Sequence, residues 1–213
     1  MDLLALGGFA FAASITPGPN NVMLWASGMN YGVRRTVPHM IGINLGFCSL
    51  LLLIALGLGS VIGAEPVVGT VIKVAGGVYL LRLAWRVATA GSAGPDLGSV
   101  DAEAAPTGTD GQPDEGVGRP MTFLEAATFQ YLNPKAWVMG TTAAGMALPA
   151  GASLLSSVPL FVATFAVVNL PCITVWAGAG NLVGRLLADP RWRRGVNGAL
   201  GALLAASVVL FLV

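Results

Sequence analysis

Charge is what this sequence has least of. Eleven Lys or Arg and ten Asp or Glu are spread over 213 residues, so only 10% of the chain is charged, against roughly a quarter in an ordinary soluble domain. With 55% hydrophobic residues and a mean hydropathy of +0.76, this excludes a typical soluble fold and reads as an integral membrane protein. Histidine is nearly missing: His39 is the single one, and with no second imidazole it offers no metal site. The two cysteines, Cys48 and Cys172, both fall in apolar stretches. A disulfide, a metal pair or core packing would each fit there, so they assign no function. Neither HExxH nor GxSxG occurs, and Ser27 and Ser49 have no base nearby in sequence, since His39 follows Pro38 at the edge of a span. An enzyme is therefore not expected. No Lys or Arg precedes Arg34, so the first apolar run lacks the cationic start of a cleaved signal peptide and reads as a retained span.

What is present is long apolar runs. A bilayer core needs roughly 20 apolar residues per helix, and six runs suit it: Leu3 to Met29, Met40 to Ala64, Val67 to Thr89, Thr122 to Leu148, Leu154 to Val183 and Val196 to Val213. The expected fold is all-α, with six transmembrane helices. Between Gly91 and Pro120 the apolar character gives way to Gly, Pro, Ser and Thr among Asp96, Asp101, Glu103, Asp110, Asp114 and Glu115. Such a segment cannot bury a core. The expected division is a three-helix repeat over 1–90, a flexible acidic linker over 91–120 and a second three-helix repeat over 121–213. Arginines collect in alternate loops: Arg34 and Arg35, Arg82 and Arg86, Arg119, then Arg185, Arg191, Arg193 and Arg194. The positive-inside rule makes that side cytoplasmic, with both termini outside.

The same rules single out two interruptions. "TPGPNNVM" at Thr16 to Met23 and "NPKAWVM" at Asn133 to Met139 place prolines mid-span in the first helix of each half. Three spans per half reverse the second half, giving a 3+3 inverted repeat with broken helices 1 and 4, a pattern in which the interrupted helices meet at the substrate site. Pro17 and Pro19 deprive the carbonyls of Ala13 and Ile15 of helical donors, and Pro134 does the same to Gln130. In a membrane such carbonyls face protein, water or a polar ligand. The half-helix N-terminus near Asn20 and Asn21 suits a carboxylate, and freed carbonyls suit an ammonium group. The plainer reading is a kink that only shapes packing. Lys135 lies too deep to snorkel and must be paired, deprotonated or solvated. It could hold a substrate carboxylate or exchange a proton, or form a permanent pair with Glu125 or freed carbonyls. Glu125 sits near the start of span 4, where helix capping explains it and a proton relay is the alternative. Lys73 snorkels to the interface. Asn44 and Asn169, the latter beside a further helix break at Pro171, are candidate site residues or helix-to-helix hydrogen bonds.

Together, "ITPGPNN", "YGVRRTVPHMIGINLGF", "VAGGVYLLRLAW" and "YLNPKAW" resemble the LysE/RhtB family of amino-acid exporters, over nearly the whole chain except the linker. Within it, TPGPNN and the span 3 pattern look most like the cysteine/O-acetylserine branch, although Pro134 departs from that branch. The resemblance implies six spans in a bacterial inner membrane, homodimers in some members, no cofactor, no nucleic-acid partner, and amino-acid efflux by proton antiport. Carried over position by position, its motif residues are Pro17, Gly18, Pro19, Asn20, Asn21, Asn133, Pro134 and Lys135. Physically, no Asp or Glu occurs deep in any span. A cationic substrate would then meet Lys135 with nothing to balance it, whereas a neutral zwitterion pairs its own carboxylate there. Small neutral amino acids or derivatives, of the cysteine/O-acetylserine or homoserine/threonine type, are the expected substrates. An inorganic cation transporter is the alternative, and it would need ligand clusters in the spans.

Overall fold

The computed structural model describes residues 1–57, 66–90, 119–148, 153–187 and 189–212, and every regular element among them is helical. The linker residues 91–118, the end of the second expected span and the turns around Glu65 and Pro149 lie outside the described residues. Among the described residues seven helices follow in order: α1 (Leu3–Ile15), α2 (Pro19–Ala55), α3 (Pro66–Thr89), α4 (Phe123–Leu132), α5 (Pro134–Ala147), α6 (Leu154–Leu186) and α7 (Pro190–Leu212).

Local chemistry sets the ends. Asp2 caps α1 by accepting from the N–H groups of Leu4 and Ala5, each at 3.0 Å, which satisfies donors the first turn would leave orphaned. After Ile15 the chain is extended through Thr16 (φ −66°, ψ 144°) and Gly18 (φ −177°, ψ 175°), and Pro19 restarts the helix at its first position, the place where proline's missing N–H removes nothing. Thr122 and Glu125 form a reciprocal capping box at the head of α4. A single extended residue, Asn133, separates α4 from α5, which again starts at a proline.

Although α2 is helical from Pro19 to Ala55, Gly32 interrupts it at φ 77°, ψ 162°. The chain reverses there. The hydroxyls of Ser27 and Thr36 are 2.9 Å apart, although nine residues of straight helix would separate them by about 13 Å. Before Gly32, Trp25 and Met29 pass Gly180 and Gly184 of α6 in parallel order. Beyond it, Asn44 bonds Asn169 and Phe47 meets Phe165, in antiparallel order. Thus the loop expected between Met29 and Met40 is almost entirely helical, with one glycine making the turn.

Small residues let these backbones approach. A Cβ on Gly28, Gly180 or Gly184 would collide with the carbonyl oxygen of Ala177, Trp25 or Met29 respectively, the close approach that membrane helices use for packing. The helix break expected at Pro171 is not observed, because α6 continues through both Pro159 and Pro171. One lost backbone bond is tolerated where flanking turns and neighbouring helices hold the segment.

Two apolar clusters build the core. One gathers Leu24, Met23, Ile43, Leu80, Phe129 and Leu204. The other gathers Leu6, Phe47, Leu50, Phe161 and Phe165, with Phe165 edge-on to Phe9, Phe47 and Phe161. Large apolar residues also cover the outside: Val71, Val78, Leu81 and Trp85 of α3 are all exposed, as are Leu155, Val167, Val175 and Leu182 of α6. Such a surface suits a hydrocarbon solvent. By length and hydropathy, α2 and α6 qualify as membrane-spanning helices.

Candidate functional site

The carbonyls at the first break find donors both within the break and across the bundle. The carbonyl of Ala13 accepts from the Thr16 hydroxyl at 3.0 Å, and that of Ile15 from the Trp176 indole N–H at 3.1 Å. The Asn21 amide donates to the carbonyls of both Ser14 and Thr16 at 2.8 Å. Most informative is Lys135, whose ammonium group donates to the carbonyl of Thr16 at 2.9 Å, its hydroxyl at 3.1 Å and the carbonyl of Pro17 at 3.3 Å. Between the pairings open to Lys135, the geometry has it on freed carbonyls.

The second break reaches back in the same way. Asn133 caps α5 by accepting from the Lys135 backbone N–H at 3.2 Å, and its own N–H reaches the Gln130 carbonyl at 3.4 Å. The Gln130 side chain then exchanges two hydrogen bonds with Asn20, at 2.8 and 3.2 Å, and donates to the Ala126 carbonyl at 2.9 Å. The breaks are therefore joined twice, by Lys135 on Thr16 and Pro17 and by Asn20 on Gln130.

Between them is a cavity of about 30 Å³, lined on its polar side by Ser14, Gly18, Asn20, Asn21, Gln130, Asn133, Lys135 and Asn169, and on its apolar side by Ile43, Phe47, Met139 and Ile173. That is room for roughly two waters, so a larger guest requires the helices to part. Ile43 and Ile173 belong to one apolar cluster and Phe47 to the other, so the cavity lies where the two meet. Ser14 is buried, and its hydroxyl has no hydrogen-bond partner. Gly18 has no side chain for a reason: a Cβ would stand 2.8 Å from the Lys135 Cδ and 3.0 Å from its Nζ. No side chain caps the start of α2, leaving its first N–H groups beside the lysine. None of the lining residues is acidic. One full positive charge and a helix N-terminus thus share the cavity, a combination suited to a carboxylate.

Of the residues expected from sequence, Gly18, Asn20, Asn21, Asn133, Lys135 and Asn169 line this cavity, Pro17 contributes its carbonyl, and Pro19 and Pro134 set the helix starts. Asn44 stands behind, accepting from Asn169 at 2.9 Å and donating to the Ala166 carbonyl at 3.3 Å. Glu125 is elsewhere. It closes the capping box, binds both Arg119 guanidinium nitrogens at 2.8 Å and lies 3.6 Å from Arg86. Ser14, Thr16, Gln130 and Trp176 join the site without having been expected to contribute a side chain. Only Gln130 carried a sequence signal, four residues before Pro134. His39, expected at the interface, is instead only 1% exposed.

Comparison with known proteins points one way. A family model described as "LysE type translocator" matches residues 11–213. The cysteine/O-acetylserine efflux proteins of Escherichia coli K12 and of Shigella sonnei are each 28% identical over 207 residues, covering 97% of this chain and 95% of theirs. No solved structure matches.

Proposed function

Since this chain belongs to the LysE-type translocator family, whose members carry their cargo across membranes, we propose that it exports small neutral amino acids or their derivatives, of the cysteine/O-acetylserine or homoserine/threonine type. The observation that carries this reading is the Lys135 ammonium group, held on Thr16 and Pro17 beside the uncapped start of α2 and lining a cavity with no acidic group. A zwitterion brings its own carboxylate to that charge, and its ammonium group has the amide oxygens of Asn20, Asn21 or Asn169 to bind. A lysine or arginine side chain would add a second cation with nothing to neutralise it. The efflux proteins of similar sequence have cysteine and O-acetylserine as cargo in their names, zwitterions that suit the polarity of this pocket once its helices part.

The reading extends to six crossings arranged as a 3+3 inverted repeat. Its support is the reversal at Gly32, which makes two antiparallel arms of α2, and the paired breaks at residues 16–18 and 133 that reach one another through side chains. Arginine placement puts both termini outside the cytoplasm of a bacterial inner membrane. Export runs by proton antiport, with Lys135 the cavity residue able to take and release a proton. Glu125 is bound to Arg119 and Thr122 and is the weaker choice.

The test is export from a bacterial host fed amino-acid dipeptides. Cells expressing the chain accumulate small neutral amino acids outside, severalfold above cells without it. No export above background removes the reading.

A further inference from the structure

The described residues include ten buried polar or charged side chains, and they fall into two groups. Six (Ser14, Asn21, Asn44, Gln130, Asn133 and Asn169) surround or back the cavity at the helix breaks. The other four are Ser27, Thr36, His39 and Asn197: Ser27 and His39 line a second cavity of about 50 Å³ at the opposite end of the first arm of α2, and Thr36 and Asn197 bond to its lining residues Ser27 and Asn30.

Most of that second group is satisfied within the protein. Ser27 and Thr36 bond each other at 2.9 Å, and Thr36 donates to the Gly32 carbonyl. Asn30 and Asn197 exchange hydrogen bonds at 2.9 and 3.0 Å, and Asn197 also holds the Ala90 carbonyl. His39 is the exception. It is 1% exposed, lines the cavity, and neither Nδ1 nor Nε2 has a partner. A neutral imidazole offers one donor and one acceptor, and buried groups of this kind are nearly always bonded. The space holds three or so waters by volume, so here too a larger guest requires the neighbouring helices to part. Tyr31, Arg86 and Arg119 line the same cavity. Glu125 takes both Arg119 nitrogens at 2.8 Å but lies 3.6 Å from the Arg86 nitrogen.

We propose that this cavity is a second binding site for a zwitterionic α-amino acid, its carboxylate on Arg86 and its amino group on the open nitrogen acceptor of His39. The site rests on the export reading and adds to it a station separate from Lys135, one arm of α2 away. Met23 lines this cavity and Ile43 the other, and both belong to the same apolar cluster, so apolar side chains divide the two.

The test is equilibrium binding of radiolabelled cysteine, threonine and homoserine to the purified full chain in detergent. Two molecules bind per wild-type chain, one per chain for H39L, R86Q or K135A, and none for H39L/K135A. Size-exclusion behaviour and the surviving Lys135 site report that H39L is folded. The milder H39Q, which keeps a donor and an acceptor, retains the second molecule at weakened affinity. One molecule per wild-type chain, lost in K135A and untouched in H39L and R86Q, overturns this proposal and leaves the export reading standing. Binding of none of the three by any variant overturns both.

Discussion

At the scale of the residue, the site depends on groups that no longer have their usual helical partners. Lys135 replaces two missing backbone donors with one ammonium group on Thr16 and Pro17. Lys135→Ala therefore leaves the Pro17 carbonyl without that donor, the Thr16 carbonyl with only the Asn21 amide, and removes the charge proposed to hold a carboxylate. Export is expected to fall about tenfold or more, the equivalent of at least about 1.4 kcal/mol in the barrier, with membrane insertion unchanged on immunoblots of washed membranes. Asn20 and Gln130 make a different prediction, because each is the other's partner. Truncating one strands a polar group, at about 1–3 kcal/mol, whereas truncating both strands neither. Melting of the detergent-solubilised protein should show N20A/Q130A less destabilised than the sum of N20A and Q130A. Lys135 was legible in the sequence, since a cation deep in an apolar run demands explanation. Trp176 was not, because its indole acts across space on a carbonyl 161 residues away, and nothing in its neighbours' identities marks that.

At the scale of the element, proline and glycine punctuate the chain, but with different force at each position. Pro17, Pro19 and Pro134 coincide with real interruptions, whereas Pro38, Pro159 and Pro171 stay within helices. The difference is company. At the first break Gly18 and a capping-deficient start accompany the prolines, and at the second Asn133 supplies a cap, so leaving the helix has local support. Pro171 has none, and α6 holds its course. The reversal at Gly32 was hidden because helix-compatible residues surround it and only its φ of 77° makes the turn. Gly32→Ala places a Cβ in that conformation at about 1–3 kcal/mol, expected as a lower melting midpoint. Gly28→Val drives a side chain into the Ala177 carbonyl, whereas Gly8→Val meets open space. Size-exclusion chromatography in detergent should show the first aggregated or absent and the second monodisperse.

At the scale of the whole molecule, two apolar clusters meet at a polar layer formed by the helix breaks, and an apolar skin faces outward. Composition alone made the skin legible. The meeting of the breaks was inferred from their echo in the two halves, and the exact pairs depend on how α2 folds back against α6. The orientation proposed from the arginines predicts that alkaline phosphatase fused after Val213 is active and green fluorescent protein at the same point dark; the reverse pattern would turn the molecule over in the membrane.

The central claim is that the cavity between the two breaks binds and carries a neutral amino acid through Lys135. Its most direct measurement is transport by the purified chain in liposomes under an imposed pH gradient, with labelled cysteine, threonine, homoserine and lysine as cargo. Saturable movement of at least one neutral amino acid is expected, with none of lysine and none by Lys135→Ala. Equal rates for wild type and Lys135→Ala, or transport of lysine alone, would contradict the account.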